Sequence, residues 1–211
     1  MYKKFVTACM VIVASAAFVI VPPASASPVL TENGIPVVSG STIIATSTEA
    51  PTFTGAFNLT CSKATLTATV TKNSGTKIEA TVATGGATYT GTGTSGDCTS
   101  ALGSVKWTVN GELCLASGVS DTLTFTGCEV GGVVQPVAFT LEVTGTGPCK
   151  YKTAVVNGTF ATNVTPATMK MTEQEAKKVE GGFFCPSSGK FDHDFDLYKD
   201  NLPTETPLTI S

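Results

Sequence analysis

The sequence predicts an all-β fold: a disulfide-stapled antiparallel β-sandwich of Greek-key or immunoglobulin-like type. Three observations carry that expectation. Apolar residues recur every second position through most of the chain, which is the strand period. Turn-forming Gly and Asn residues punctuate these runs at short intervals, as in sandwiches and barrels. Six cysteines follow an export-type N-terminus, an even set that reads as three disulfides.

Residues 1–26 read as a signal peptide. Lys3 and Lys4 give a positive start, an apolar run extends from Phe5 to Val21, and Ala24-Ser25-Ala26 fits the small-x-small cleavage pattern. Cys9 sits too early in that run to be a lipidation site. Cleavage after Ala26 leaves no apolar stretch of membrane-spanning length. Residues 27–50 are polar and proline-bearing and read as an N-terminal leader segment, with one strand at Thr42–Thr46. Residues 51–211 form the expected β-sandwich domain.

Within that domain the alternation can be followed run by run. Leu66, Ala68 and Val70 alternate with threonines 65, 67, 69 and 71. Ile78, Ala80 and Val82 alternate with Lys77, Glu79 and Thr81. Val105, Trp107 and Val109 form a third inward set, Leu123 and Phe125 a fourth, and Val137, Phe139, Leu141 and Val143 a fifth. Each reads as a strand with one dry and one wet face, and the β-branched residues suit it. Lys72-Asn73-Ser74-Gly75-Thr76 and Asn157-Gly158 are expected hairpin turns, because Asn and Gly tolerate positive φ. Gly131-Gly132 and Gly145-Thr146-Gly147 mark further breaks. Thr172-Glu173-Gln174-Glu175 is a capping box followed by Ala176-Lys177-Lys178-Val179-Glu180 and Gly181, so a short helix is expected near 172–180.

Cys61, Cys98, Cys114, Cys128, Cys149 and Cys185 allow fifteen pairings. Consecutive strands tend to lie side by side, which favours the sequential set: Cys61–Cys98, Cys114–Cys128 and Cys149–Cys185. No C-x-x-C pair supports a zinc site.

The charge pattern narrows the partners. The chain has no arginine, and beyond residue 26 it carries 11 lysines against 16 acids. Arginine is the common reader of guanine and the usual fork for phosphate. An acidic, arginine-free chain argues against nucleic acid and against electrostatic docking on anionic lipid. A cell-envelope glycan or a surface protein is the expected kind of partner.

Few residues suggest chemistry. Asp192, Asp194 and Asp196 would share one face of a strand, and clustered carboxylates suit Ca²⁺. The EF-hand pattern fails, since Leu197 stands where its glycine should be and Pro203 where its glutamate should be. No other cofactor is expected. His193, the one histidine, falls on the opposite, apolar face with Phe191, Phe195 and Leu197, and reads as a packed core residue. No G-x-S-x-G, H-E-x-x-H or P-loop motif is present. Trp107, Tyr89, Tyr151 and Tyr198 could line a groove, although Trp107 belongs by parity to the core. The recurrent threonines read as a wet face, because ice-binding ladders require strands of equal repeat.

Several segments carry a family resemblance: Pro28-Val29-Leu30-Thr31-Glu32, Cys61-Ser62-Lys63-Ala64-Thr65-Leu66-Thr67, Gly91-Thr92-Gly93-Thr94-Ser95-Gly96-Asp97-Cys98-Thr99, Cys149-Lys150-Tyr151 and Phe184-Cys185-Pro186-Ser187. With the six-cysteine layout, they resemble uncharacterised secreted β-rich proteins of soil actinobacteria. None is a catalytic motif, so the resemblance implies class and compartment without an activity. The functional expectation is a secreted, non-enzymatic extracellular or cell-envelope binding or structural protein. The alternatives are an extracellular polymer hydrolase and a calcium-stabilised structural module.

Overall fold

The structure is a computed structural model and describes residues 28–211 apart from Ala56, Thr76, Val119, Leu202 and Pro203. The expected signal peptide lies outside the described residues.

After β1 (Leu30–Glu32) and β2 (Ile35–Pro36), the described chain makes eight long passes, each split into two strands. The first is β3 (Thr42–Ser47) with β4 (Thr52–Thr54), and the second β5 (Leu59–Thr60) with β6 (Lys63–Ser74). Then come β7 (Lys77–Thr90) with β8 (Cys98–Ser100), and β9 (Gly103–Asn110) with β10 (Leu113–Ser117). The fifth pass joins β11 (Thr122–Val130), through a short β12 (Val133–Gln135), to β13 (Val137–Val143). The last three are β14 (Gly147–Thr153) with β15 (Val156–Ala161), β16 (Thr168–Met171) with β17 (Gln174–Glu180), and β18 (Ser188–Asp192) with β19 (Asp194–Asn201). A final strand, β20 (Thr204–Ile210), follows.

One half of each pass enters a first closed ring, β3-β6-β7-β10-β11-β15-β16-β19, and the other half a second, β4-β5-β8-β9-β13-β14-β17-β18. Both rings place the passes in the same cyclic order. They are two storeys of one up-and-down barrel, and every pass crosses the waist between them. The expected sandwich is therefore corrected to a pair of closed eight-stranded antiparallel barrels. The physical reason is that the first and last passes pair: Phe195 stands opposite Ser47, Leu197 opposite Ala45, and Phe191 opposite Phe53. Closure satisfies the edge strands that a sandwich would leave open.

An eight-stranded barrel has an interior just wide enough for side chains to fill. The inward residues of each run are buried as the alternation requires, including Leu66, Val70, Ile78, Val82, Phe125, Phe139 and Leu141. The second storey holds an aromatic core. The Phe53 ring meets Trp107 at 6.0 Å and Tyr151 at 5.1 Å between centroids, and its pair with Trp107 is edge-to-face. Burying each such ring stabilises the fold by about 1.5–3 kcal/mol. Gly189 lies directly beneath Phe53, where a Cβ would collide with the ring. Outward positions carry Thr, Lys and Glu, the reverse of a membrane-spanning barrel's apolar wall.

The first storey is closed at its far end. β20 pairs with both β19 and β1, and Leu30, Leu208 and Ile210 are fully buried there. Asn73 clamps this plug: its Nδ2 donates to the carbonyls of Leu30 (2.7 Å) and Val37 (2.8 Å), and its Oδ1 accepts from the Leu30 amide (2.9 Å).

Two local expectations are corrected. The helix near 172–180 is instead β17, paired with β14 and β18. Gln174 and Ala176 point inward while Glu175 and Lys177 point out, so ring pairing overrides the capping box. The Gln174 side chain donates to the carbonyl and the hydroxyl of Thr172. Asn157-Gly158 lies inside β15 and forms no turn. A Cβ on Gly158 would press against the Lys170 carbonyl, so the glycine permits close approach of β16. Among the described residues the one helical element is a 3-10 turn at Thr94–Gly96.

Cys61–Cys98, Cys114–Cys128 and Cys149–Cys185 form the three disulfides, the sequential set. Each ties a pass to its neighbour or to the neighbour's turn. Three structural disulfides point to an oxidising compartment.

Candidate functional site

The waist and the open end of the second storey are the two regions where chemistry-bearing or exposed apolar groups gather. At the waist, the β18–β19 pass keeps its alternation through His193. Phe191, His193, Phe195 and Leu197 are buried, Asp192 is exposed, and Asp194 and Asp196 are half-buried. The three aspartates share the outer face but do not converge. Alternate residues on a strand are about 6.8 Å apart along the backbone, whereas oxygens at about 2.3–2.6 Å from one calcium ion lie within about 5 Å of each other. Asp194 faces Lys170 at 3.5 Å, and Asp196 accepts from the Thr168 hydroxyl at 3.3 Å. Among the described residues no group of three or more His, Cys, Asp or Glu side chains is placed to hold a metal ion. The aspartates thus form no calcium donor set in this structure. Asp192 and Asp194 instead join Glu49, from the neighbouring pass, along a polar cleft of about 260 Å³.

His193 lines that cleft as well, and its ring reaches into the barrel. It packs among Tyr89, Trp107, Phe191 and Phe195. Its Nδ1 meets the Asp192 carbonyl, which assigns the proton to Nδ1 in the neutral ring. Among the described residues Nε2 has no partner, and neither does the Trp107 indole N–H. Tyr89 stacks on Trp107 at 4.3 Å and 6°. Burial pulls the His193 pKa down to about 4, outweighing the upward pull of the Asp192 carbonyl and of the Asp192 and Asp194 charges. Burial likewise pushes the Tyr89 phenol up.

Trp107 and His193 line one small cavity of about 40 Å³. The cavity inside the first storey is about 20 Å³ and wholly apolar in lining. A water needs about 10–15 Å³ of such space, whereas ligand pockets start near roughly 300 Å³. The waist cavity therefore has room for water and two polar atoms to bind it, but neither cavity is a ligand chamber. Tyr151 joins Trp107 only through Phe53 and Phe139 and is buried in the second storey, its hydroxyl donating to the Pro186 carbonyl at 3.2 Å, and Tyr198 sits on β19. The expected aromatic groove is not assembled.

The open end was not marked by any motif. Four turns meet there, at residues 55–58, 101–102, 144–146 and 181–187. None of these residues is charged. Phe183 is 96% exposed, Phe184 62% and Leu102 44%. Phe184 and Leu102, with Phe57, edge a shallow surface groove of about 510 Å³. The loop bearing the two phenylalanines is fixed at its root. Cys149–Cys185 staples it, the Lys178 amine donates to the Cys185 carbonyl at 3.0 Å, and the Lys178 amide donates to the Ser187 carbonyl at 2.8 Å. The signal available in the sequence was Gly181-Gly182-Phe183-Phe184, where two adjacent large apolar residues break the period of two. A second exposed apolar set, Val130, Val133 and Val134, stands on the β11–β12 hairpin beside Glu129.

No family model, curated protein or solved structure matches the chain.

Proposed function

We propose that this is a secreted, non-enzymatic binding protein of the extracellular space or cell envelope, with the barrel as scaffold and the open end as contact surface. The observation that supports this reading is the contrast between a filled interior and a rigid, charge-free end that exposes Phe183, Phe184 and Leu102. A sealed core leaves binding to the outside, and concentrated apolar exposure marks interaction surfaces. The three disulfides favour the space outside the cell. Immobilised exported protein should retain a specific component of the cell envelope, glycan or protein, and a Phe183→Ser/Phe184→Ser variant should lose it. Repeated blanks with the wild type would count against the reading.

The cleft lined by Glu49, Asp192 and Asp194 favours a second reading, a hydrolase of extracellular polymers. Paired carboxylates are all that glycosidase chemistry requires. Turnover of a glycan that disappears in Asp192→Asn would establish it, and inertness across a broad glycan panel would remove it.

A further inference from the structure

We infer that the open end docks on the surface of a lipid bilayer, with Phe183 and Phe184 entering the interfacial layer. This rests on the reading of the open end as the contact surface and names what it contacts.

Three observations lead there. The first is the absence of charge from all four turns, so nothing at the tip must be desolvated as an ion on entering the headgroup region. The second is area. Phe183, Phe184 and Leu102 together expose roughly 400 Å² of apolar side chain, taking ~200 Å² for each large residue. A stable protein interface needs about 800 Å² per partner. These three side chains supply about half of that by themselves, and a bilayer accepts such shallow apolar insertions without a complementary partner.

The third is the distribution of charge. The chain is acidic as a whole, but the second-storey strands, which run up to the open end, carry six lysines against four acids. Lys106, Lys150, Lys152, Lys177, Lys178 and Lys190 stand on these strands; Lys150 is paired with Glu180 at 2.8 Å and Lys190 with Glu173 at 2.7 Å, and Lys178 lies at the root of the Phe183–Phe184 loop. An uncharged, aromatic tip backed by strands with a small net excess of lysine suits a mildly anionic lipid surface. The charge count of the whole chain hides this, because the excess acids sit in the linkers, the waist and the terminal strands.

The test is co-sedimentation of the oxidised, exported protein with vesicles of phosphatidylcholine, alone and mixed with phosphatidylglycerol. Binding to the mixed vesicles is expected, weakened by salt and reduced at least tenfold in Phe183→Ser/Phe184→Ser, with Leu102→Ser intermediate. These residues are exposed, so an unchanged melting temperature should accompany the loss. Failure to bind either vesicle, or equal binding by the double variant, overturns the inference. A concentration-dependent dimer that the double variant abolishes would assign the end to a second copy and overturn it too. A glycan or protein partner retained by wild type and lost by the double variant, with no vesicle binding, would keep the open end as contact surface and reject only the lipid.

Discussion

Replacing His193 by Phe should flatten the dependence of stability on pH between about 6.5 and 4. The imidazole is 5% exposed and packed among four rings. Its pKa falls from 6.5 to about 4 because burial disfavours the imidazolium. Between those values the unfolded chain binds a proton that the folded chain refuses. Stability therefore rises with pH across the window: the contribution is complete above about 6.5 and lost as pH falls towards 4. At about 1.36 kcal/mol per unit, the shift corresponds to about 3 kcal/mol. Urea unfolding at half-unit steps from pH 4 to pH 7 measures it. Carboxylates titrate in the same range, so the informative quantity is the difference between wild type and His193→Phe, since Phe matches the apolar surroundings. That difference should change by about 3 kcal/mol across the window. Parallel profiles, or an imidazole resonance that titrates near 6.5 in the folded protein, would refute the argument.

Other variants probe the closure devices. Asn73→Ala strips the partners from Leu30 and Val37 and should cost about 2 kcal/mol, read as a lower urea midpoint with an unchanged slope. Gly158→Ala forces β15 from the Lys170 carbonyl and should cost about 1–3 kcal/mol, with faster amide exchange in β16 as its local sign. Replacing Cys149 and Cys185 by Ser should cost about 2–4 kcal/mol. Thiol labelling of the unfolded, oxidised wild type should find no free sulfur among the six cysteines, and any labelling there would contradict the pairing.

What the sequence made legible follows from the range of the forces involved. Strand parity is a local property, so the inward Leu66, Trp107, Phe125 and Phe139 could be read from alternation alone. Disulfide order was readable because the passes are hairpin-connected and consecutive. Ring closure was not, because it depends on residues near 47 meeting residues near 195, and alternation is the same in a sandwich and a barrel. The segment at 174–180 shows the converse. Its capping box is a real local preference, but the gap between β14 and β18 demands a strand, and burial of Gln174 and Ala176 decides the outcome. At the candidate site, three aspartates on one face looked like a donor set. Extended geometry spreads them, while the exposed Phe183 and Phe184 follow no periodic rule and so carried no motif.

Because β3 and β4 find their last partners in β19 and β18, the barrel cannot close until nearly the whole chain is available. A chain emerging N-terminus first would hold a growing curled sheet with two raw edges. Cys61–Cys98 and Cys114–Cys128 can form in that intermediate and secure its middle passes, whereas Cys149 must wait for Cys185. Truncation before residue 188 would therefore leave an open, sticky sheet and not a smaller barrel, so the final two dozen residues act as the latch on everything made before them.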